Sequence, residues 1–314
     1  MAFDKLLGNH RLKQNLTESL AKKRISHFYL ISGPEGSGKH TLAKLLASAI
    51  LCSGTDVPCG ECPACRKILS GNHPDFITVE DPEHKTTAVK IVRQMRDDMF
   101  IRPNEADHKI YLFPQELGIE GQNALLKILE EPPAYGVFIL LTDNPEKLLP
   151  TVRSRCTQLA LQALEPELLK QALRREFPEA ADADFAAAAL RSGGYLGQAR
   201  KLLENAEENP QTEGFVKGYG SRDPLAMAQV LVPMEKWKRD QLIPVLEQWL
   251  ALLENALASR AGLPAISAAE RYLSTQRSSQ ELMAAVRSVK KALEYAQGNV
   301  SPGAICGWLR WELR

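Results

Sequence analysis

The segment spanning residues 27–52 joins an apolar strand-like run, a glycine-rich turn and an amphipathic helix pattern. It reads HFYLIS, then GPEGSGKH, then TLAKLLASAILC. A G-x-x-x-x-G-K loop in this context can bind phosphate, because the backbone amides and the helix N-terminus point at the same anion. A glycine turn that binds no ligand is the simpler alternative. The segment predicts that a sheet strand leads directly into a phosphate loop and a helix.

Further short apolar runs in the first half of the chain lie at 76–80, 109–113, 137–142 and 157–161. Amphipathic helix patterns separate them, as in QNALLKILEE at 122–131. Near-continuous apolar strands that alternate with helices indicate a parallel sheet covered on both faces. We therefore predict an α/β domain over residues 1–162.

The second half of the chain has helical patterns only. We predict a small helical domain over 163–208 and a larger all-α domain over 209–314, joined by a linker at EENPQTEG, residues 207–214. Proline and glycine breaks within the second half separate the helices.

The bulk composition excludes several classes of protein. Lys plus Arg (39) nearly equals Asp plus Glu (38), so no overall positive field marks a general nucleic-acid binder. The N-terminal residues are too polar for a signal peptide, and no apolar run approaches membrane-spanning length. We expect a cytoplasmic protein.

Four of the six cysteines form a C-x6-C-x2-C-x2-C pattern in a stretch rich in proline and glycine. They are Cys52, Cys59, Cys62 and Cys65. In a reducing compartment this spacing favours a tetrahedral all-sulfur zinc site over four unrelated thiols. Four thiolates fill the coordination sphere of zinc, so we predict a structural ion within a module at 52–65.

The candidate phosphate-binding residues are Gly33, Gly36, Gly38, Lys39 and Thr41. His40 stands where the motif needs a Ser or Thr hydroxyl for Mg²⁺, and imidazole is a poor ligand for that hard ion. After the KIYLF strand, Pro114 and Gln115 stand where acidic residues would bind the metal and polarise water. A register slip that brings Glu116 into use stays open. Magnesium handling is expected to be lost at two positions.

Six features occur in a fixed order: the loop, the four cysteines, HPDF (73–76), ALLKILEEPP (124–133), LTDN (141–144) and SRC (154–156). Together they resemble the clamp-loader branch of the AAA+ ATPases, most closely its delta-prime subunit family in bacterial DNA polymerase III. The resemblance covers the first two predicted domains with specific motifs. The C-terminal region agrees in length and in its closing NVSPGAICGWLRWEL, which is a weaker signal.

The resemblance implies an AAA+ P-loop domain with a zinc insertion, a helical lid and a C-terminal collar. The implied partners are gamma/tau motor subunits and a delta subunit in a hetero-pentamer, with the sliding clamp and primed DNA reached through that complex. No membrane partner is implied. Whether ATP or ADP binds without turnover stays open, as do the stoichiometry and the DNA-contacting surface.

The resemblance also implies roles for single residues. In the SRC motif, Arg155 between Ser154 and Cys156 is the expected arginine finger, offered to ATP on a neighbouring subunit. Thr142 is at the sensor position. A second sensor arginine is expected in a pattern that aligns with GYLGQA (194–199), where Gly197 stands instead, and Arg200 lies three residues on.

We therefore expect an ATPase-defective clamp-loader subunit that is no enzyme on its own. Its link to DNA-directed DNA polymerase activity is expected only through membership of the complex. An ATP-hydrolysing gamma/tau-type motor is the main alternative. A P-loop nucleotide kinase with a zinc-bearing lid and a zinc-dependent DNA-binding module are weaker ones.

Overall fold

The computed structural model describes residues 3–55, 57–84, 86–204, 210–298 and 300–314. The chain divides into two compact units. Unit 1 comprises Met1–Leu168 and Tyr195–Gly197, and unit 2 comprises Leu169–Gly194 and Gln198–Arg314. The predicted boundary at 208/209 lies outside the described residues.

Unit 1 contains seven described strands: β1 Phe28–Ser32, β2 Phe76–Thr78, β3 Thr86–Thr87, β4 Lys109–Phe113, β5 Glu116–Leu117, β6 Gly136–Thr142 and β7 Thr157–Ala160. Its helices are α1 His10–Ala21, α2 Lys39–Ile50, α3 Pro63–Leu69, α4 Val89–Asp98, α5 Ile119–Glu130 and α6 Pro150–Arg153, with a short 3-10 helix at Pro145–Lys147.

Five strands form one parallel sheet in the order β2-β4-β6-β1-β7. Alternate residues of β1 enter different cores: Tyr29 packs on the face that carries α1 and α2, whereas Leu30 packs on the face that carries α4 and α5. β1, β4 and β6 are buried along their whole length because helices cover both faces. The predicted α/β fold and its five strands are confirmed.

The parallel arrangement brings three loops to one edge of the sheet. The phosphate loop follows β1, the Pro114–Gln115 pair follows β4, and Asp143 follows β6. Ligands of open α/β sheets bind at this carboxyl edge. The sequence did not predict the two-residue parallel pair of β3 with β5, which lies beside the β4 loop.

Unit 2 is helical throughout its described residues. After α7 Pro166–Glu176, which begins in unit 1, its helices are α8 Asp182–Arg191, α9 Leu196–Glu204 (whose first two residues belong to unit 1), α10 Pro210–Ser221, α11 Pro224–Met234, α12 Arg239–Arg260, α13 Ala268–Gln276, α14 Ser279–Gln297 and α15 Pro302–Glu312. No helix among the described residues combines the length and apolar character that a membrane span requires.

The core of unit 2 contains an aromatic stack in which the ring centroids of Phe215 and Trp249 are 4.3 Å apart. A buried ion pair joins Arg191 of α8 to Glu270 of α13 at 2.9 Å. The linker predicted at 207–214 is wrong from Pro210 onward, where α10 begins. Proline is well tolerated in the first turn of a helix, and Thr212 is already buried. Residues 207–209 of that prediction lie outside the described residues.

Candidate functional site

The phosphate loop has glycine wherever its backbone turns to positive φ. Gly36 and Gly38 have φ of 75° and 96°, a left-handed conformation that glycine adopts without strain. Gly38 immediately precedes α2, so the helix N-terminus opens at the loop. The Gly33 amide donates to the Thr142 carbonyl at 3.2 Å, which ties the loop to β6. The loop therefore has the strand–turn–helix geometry that the sequence predicts.

The Lys39 ammonium is engaged inside the chain. Nζ donates to the carbonyls of Gly33 at 2.6 Å and Pro34 at 2.9 Å, and to Oδ1 of Asp143 at 2.5 Å. An ammonium has three N–H donors, and these contacts account for all of them. The side chain that would bind phosphate oxygens is thus held against its own loop and the end of β6.

The backbone of Gly197 lies directly on the loop. Its amide donates to the Gly36 carbonyl at 2.9 Å. A Cβ atom at position 197 would lie 2.5 Å from the Gly36 Cα, closer than real side chains come to backbone. Gly197 stands where the resemblance leads us to expect a second sensor arginine, and the structure makes it a close-packing position. In unit 2, Arg200 forms a bidentate ion pair with Glu176.

The two residues that follow Lys39 are both exposed at the start of α2. Neighbouring groups still take some water from the His40 ring, which lowers its pKa, and the charges of Lys39 and Lys44 lower it further. His40 is therefore a neutral imidazole at pH 7 and carries no oxygen for Mg²⁺. Thr41 has a hydroxyl, but one residue along a helix turns a side chain by about 100°.

Gln115 is a structural residue at the end of β4. Its Oε1 accepts hydrogen bonds from the Asp81 amide at 2.8 Å and the Thr87 hydroxyl at 3.2 Å. Its Nε2 donates to the carbonyls of Asp81 at 2.8 Å and His84 at 2.9 Å. The carboxamide needs both its donors and its acceptor here, which a carboxylate cannot supply.

Glu116 belongs to β5, where it pairs with Thr86 of β3. Its carboxylate contacts the Lys147 ammonium at 2.7 Å. The register of β4, with Phe113 opposite Leu140, leaves Glu116 beyond the end of the central sheet. Glu116 therefore has an ion-pair partner of its own. The arrangement favours the register in which Pro114 and Gln115, and not Glu116, follow β4 at the position of the acidic residues.

Thr142 ends β6, and its hydroxyl shapes the following turn. It accepts from the Asn144 amide at 3.1 Å and donates to the Asn144 carbonyl at 3.0 Å. The side chain that reaches Lys39 belongs to the next residue, Asp143. Sequence reasoning missed Asp143, and the acid in the LTDN motif was the available signal.

The SRC segment follows α6 at the surface of unit 1. Arg155 Nη1 donates to the Thr151 carbonyl at 3.0 Å, and Nη2 lies 3.6 Å from Oε1 of Glu130. The Arg155 side chain is 41% exposed. The Ser154 hydroxyl donates to the same Thr151 carbonyl at 3.3 Å. Burial raises the pKa of Cys156 to about 11, so its thiol stays protonated at neutral pH.

Gln122 holds the chain that leads into α6 from inside the fold. This buried side chain of α5 donates to the carbonyls of Leu117 at 2.8 Å and Lys147 at 3.2 Å. It accepts from the Leu149 amide, which precedes α6, at 2.7 Å. Sequence reasoning missed this residue, because a polar side chain on an amphipathic helix carries no signal of burial.

The four predicted zinc ligands lie together, from just after α2 to the first turn of α3. Their sulfur atoms all lie within 4.8 Å of one another, and Sγ of Cys52 and Cys62 are 3.9 Å apart. Tetrahedral Zn–S bonds of about 2.3 Å put sulfur atoms about 3.8 Å apart. A Cβ at Gly54 would lie 3.1 Å from Sγ of Cys59, so glycine gives the cluster its room.

Backbone amides donate to the sulfur atoms of this cluster. The Cys59 amide donates to Cys52, the Cys62 amide to Cys59, and the Cys65 amide to Cys62, at 3.3 to 3.4 Å. Burial opposes ionisation of Cys62, yet amide donors including Cys65 lower its pKa to about 6, whereas burial raises the pKa of Cys52 and Cys65. Such N–H···S contacts stabilise thiolate ligands and orient them. The residues fit a structural zinc ion, which would join the end of α2 to α3.

A family model described as DNA polymerase III, delta subunit, matches residues 8–165. That span is half of the chain and contains the loop, the cysteine cluster and the SRC segment. The chain belongs to the DNA polymerase III delta subunit family.

Curated relatives of this delta-subunit family member include tau subunits. The DNA polymerase III subunit tau of Escherichia coli K12 is 37% identical over 175 residues, which are 54% of this chain and 27% of the relative. The tau subunit of Bacillus subtilis is 35% identical over 171 residues, which are 53% of this chain and 30% of the relative. The chain thus spans less than a third of the length of these relatives.

A solved structure extends the fold comparison beyond the matched half. The DNA polymerase III gamma subunit-related protein of Thermotoga maritima aligns over 96% of this delta-subunit family member and 99% of its own chain. The TM-score is 0.50 and the sequence identity is 18%, so the alignment supports a shared fold.

Proposed function

We propose that this chain is the ATPase-defective, delta-prime-type subunit of a DNA polymerase III clamp loader. In this proposal it hydrolyses no ATP itself, and its Arg155 contacts the ATP held by a neighbouring motor subunit. The partners are gamma/tau-type motors and a delta subunit in a hetero-pentamer, which loads a sliding clamp on primed DNA. The zinc ion is structural.

The observation that carries the proposal is the contrast between Lys39 and Arg155. Lys39 is used by its own chain, whereas Arg155 keeps 41% of its side chain exposed beside α6. His40 and Gln115 add to it, since neither offers an oxygen anion for Mg²⁺. A guanidinium spreads positive charge over a γ-phosphate as negative charge shifts in the transition state.

The test is Arg155→Ala in a loader reconstituted from the cognate subunits. Loss of an arginine finger costs about 10³–10⁵ in rate at the site that it serves. Clamp loading should fall sharply, while bulk ATPase falls less because the other sites continue. Arg155→Lys should rescue poorly, since an ammonium lacks the planar fork.

Arg153→Ala is the matched control, because Arg153 lies two residues away and pairs with Glu146. Gel filtration must give the same complex for both variants. A fully assembled Arg155→Ala loader that loads clamps at the wild-type rate would overturn the assignment.

An ATP-hydrolysing gamma/tau-type motor is the second candidate, favoured by the names of the curated relatives. Steady-state ATPase of the purified chain separates the two. We expect none above background, and none for His40→Thr, because Gln115 still stands at the position of an acidic residue. Turnover by the isolated chain that Lys39→Ala abolishes would favour the motor.

A further inference from the structure

Asp143 connects the end of β6 to the phosphate loop through a single ion pair. Its Oδ1 lies 2.5 Å from Lys39 Nζ; the Lys39 side chain is 10% exposed and that of Asp143 is 58% exposed. The other two donors of the ammonium bind the carbonyls of Gly33 and Pro34. Because all three donors are in use, a phosphate oxygen can bind Lys39 only by displacing one of these partners.

We propose that Asp143 is an internal substitute for phosphate, whose carboxylate neutralises Lys39 and keeps nucleotide phosphates out of the loop. The inference rests on the proposed function, in which this loop has no ATP to turn over. It adds to that function the residue, Asp143, and the physical cause, its negative charge, that keep nucleotide out of the loop. The loop retains its backbone shape but is closed by charge.

Electrostatics explains why the carboxylate would act as a barrier after it is displaced. Phosphate held at the N-terminus of α2 would lie near Lys39, and therefore near the Asp143 side chain that reaches it. Like charges at such a distance repel. Asp143 thus opposes phosphate binding twice, once by occupying the ammonium and once by its own negative charge.

The loop backbone is held independently of Asp143. The Gly197 amide binds the Gly36 carbonyl, and the Gly33 amide binds the Thr142 carbonyl. Removal of the Asp143 charge should therefore leave the loop in place. Asparagine has the same shape and can still accept a hydrogen bond from Lys39, so Asp143→Asn isolates the effect of charge.

The experiment is calorimetric titration of the purified full-length chain with ADP and, separately, with inorganic pyrophosphate. We expect wild-type dissociation constants of about 1 mM or weaker, the range of weak single-site binding. Asp143→Asn should bind roughly tenfold more tightly, because one repulsive charge is removed. Asp143→Glu keeps the charge and should bind as weakly as the wild type.

Two controls separate this effect from a change in net charge. Asp107→Asn makes the same substitution at an exposed position of unit 1 and should bind like the wild type. Lys39→Ala added to Asp143→Asn should erase the gain. Micromolar, Lys39-dependent binding of ADP by the wild type would overturn the proposal, as would equal affinities for the wild type and Asp143→Asn.

A second measurement needs no variant, in case Asp143→Asn fails to fold. Pyrophosphate at about 0.01 mM, roughly a hundredth of the weak dissociation constant expected above, should leave the rate of Lys39 reductive methylation unchanged in the wild type. Protection of Lys39 by pyrophosphate would contradict the proposal. Neither experiment uses a partner subunit, so a loader in which Arg155 proves dispensable would refute the proposed function without touching this result.

Discussion

The phosphate loop and the Arg155 region use their cations in opposite ways. Lys39 is 10% exposed and gives its three donors to two loop carbonyls and Asp143. Arg155 is 41% exposed, with one guanidinium nitrogen on the Thr151 carbonyl and another 3.6 Å from Glu130. A cation satisfied within its own chain stabilises that chain. A cation held at the surface by a few contacts remains able to act on a partner.

Zinc removal should destabilise α2, the helix that follows the phosphate loop, and should leave the Arg155 region unchanged. The cysteine cluster lies at the end of α2, where the Cys65 thiol contacts the Ser48 carbonyl at 3.7 Å. Structural zinc contributes about 10–16 kcal/mol in small zinc-finger peptides, so this is the largest effect that we expect. Chelation or Cys62→Ser should speed amide hydrogen exchange in α2 and α3 and leave α6 unchanged.

Metal analysis of protein purified without added zinc should give one zinc per chain, and Cys62→Ser should lower that value. Cys156→Ser is the control, because Cys156 is outside the cluster and bonds the Val152 carbonyl. Native protein free of metal, or disulfides among the four cysteines, would refute the zinc assignment.

Gly197→Ala should disturb the packing of the phosphate loop and leave the Arg155 region unchanged. The new methyl group would lie 2.5 Å from the Gly36 Cα, and backbone on both sides must shift. Overpacking of this kind costs about 1–3 kcal/mol. Thermal unfolding should show the loss, and hydrogen exchange should rise at the loop.

Gly307→Ala is the control for Gly197→Ala, since Gly307 is also helical and a Cβ there meets nothing within 4 Å. That substitution should stabilise the chain by about 0.5–1 kcal/mol, the helix propensity difference between the two residues. Equal effects of the two substitutions would mean that the Gly197 contact is unimportant.

The strands and the cysteine cluster could be predicted because their signals are local. β4 has the predicted bounds of KIYLF, and the C-x6-C-x2-C-x2-C spacing brings its four sulfur atoms together. The LTDN motif marks an acid after β6, but the partners of Asp143 and Gln122 could not be predicted, because they lie far along the chain. Lys39 is 104 residues from Asp143, and Leu149 is 27 residues from Gln122.

Gln115 shows a different limit of sequence reasoning. The sequence records the missing acid at the end of β4. The structure adds four hydrogen bonds that join the carboxamide to Asp81, His84 and Thr87. A missing catalytic group and a gained structural group look identical in a motif comparison, since only the partners in space distinguish them.

Gln115→Glu therefore tests whether an acid at this position gives the chain the ATPase activity that the proposed function denies it. At neutral pH the new carboxylate would face the carbonyls of Asp81 and His84 without a proton to donate. Gln115 is half-buried, so each of the two lost hydrogen bonds should cost about 0.5–1.5 kcal/mol. We expect a lower unfolding temperature and no gain of ATPase. Gln94→Glu on the exposed face of α4 should change stability by less than about 0.5 kcal/mol. ATPase activity in Gln115→Glu would instead support an active motor.

Glu130→Gln should have the smallest effect, and it sharpens the claim that Arg155 is free to act. The two side chains are 59% and 41% exposed, and their closest charged atoms are 3.6 Å apart. Exposed ion pairs contribute about 0.2–1 kcal/mol, and the long distance favours the lower end. Unfolding temperature and clamp loading should match those of Glu131→Gln, an adjacent exposed glutamate. A specific loss of clamp loading in Glu130→Gln, with normal assembly, would mean that Glu130 positions the guanidinium, and the Arg155 side of the comparison would then be pre-organised as well.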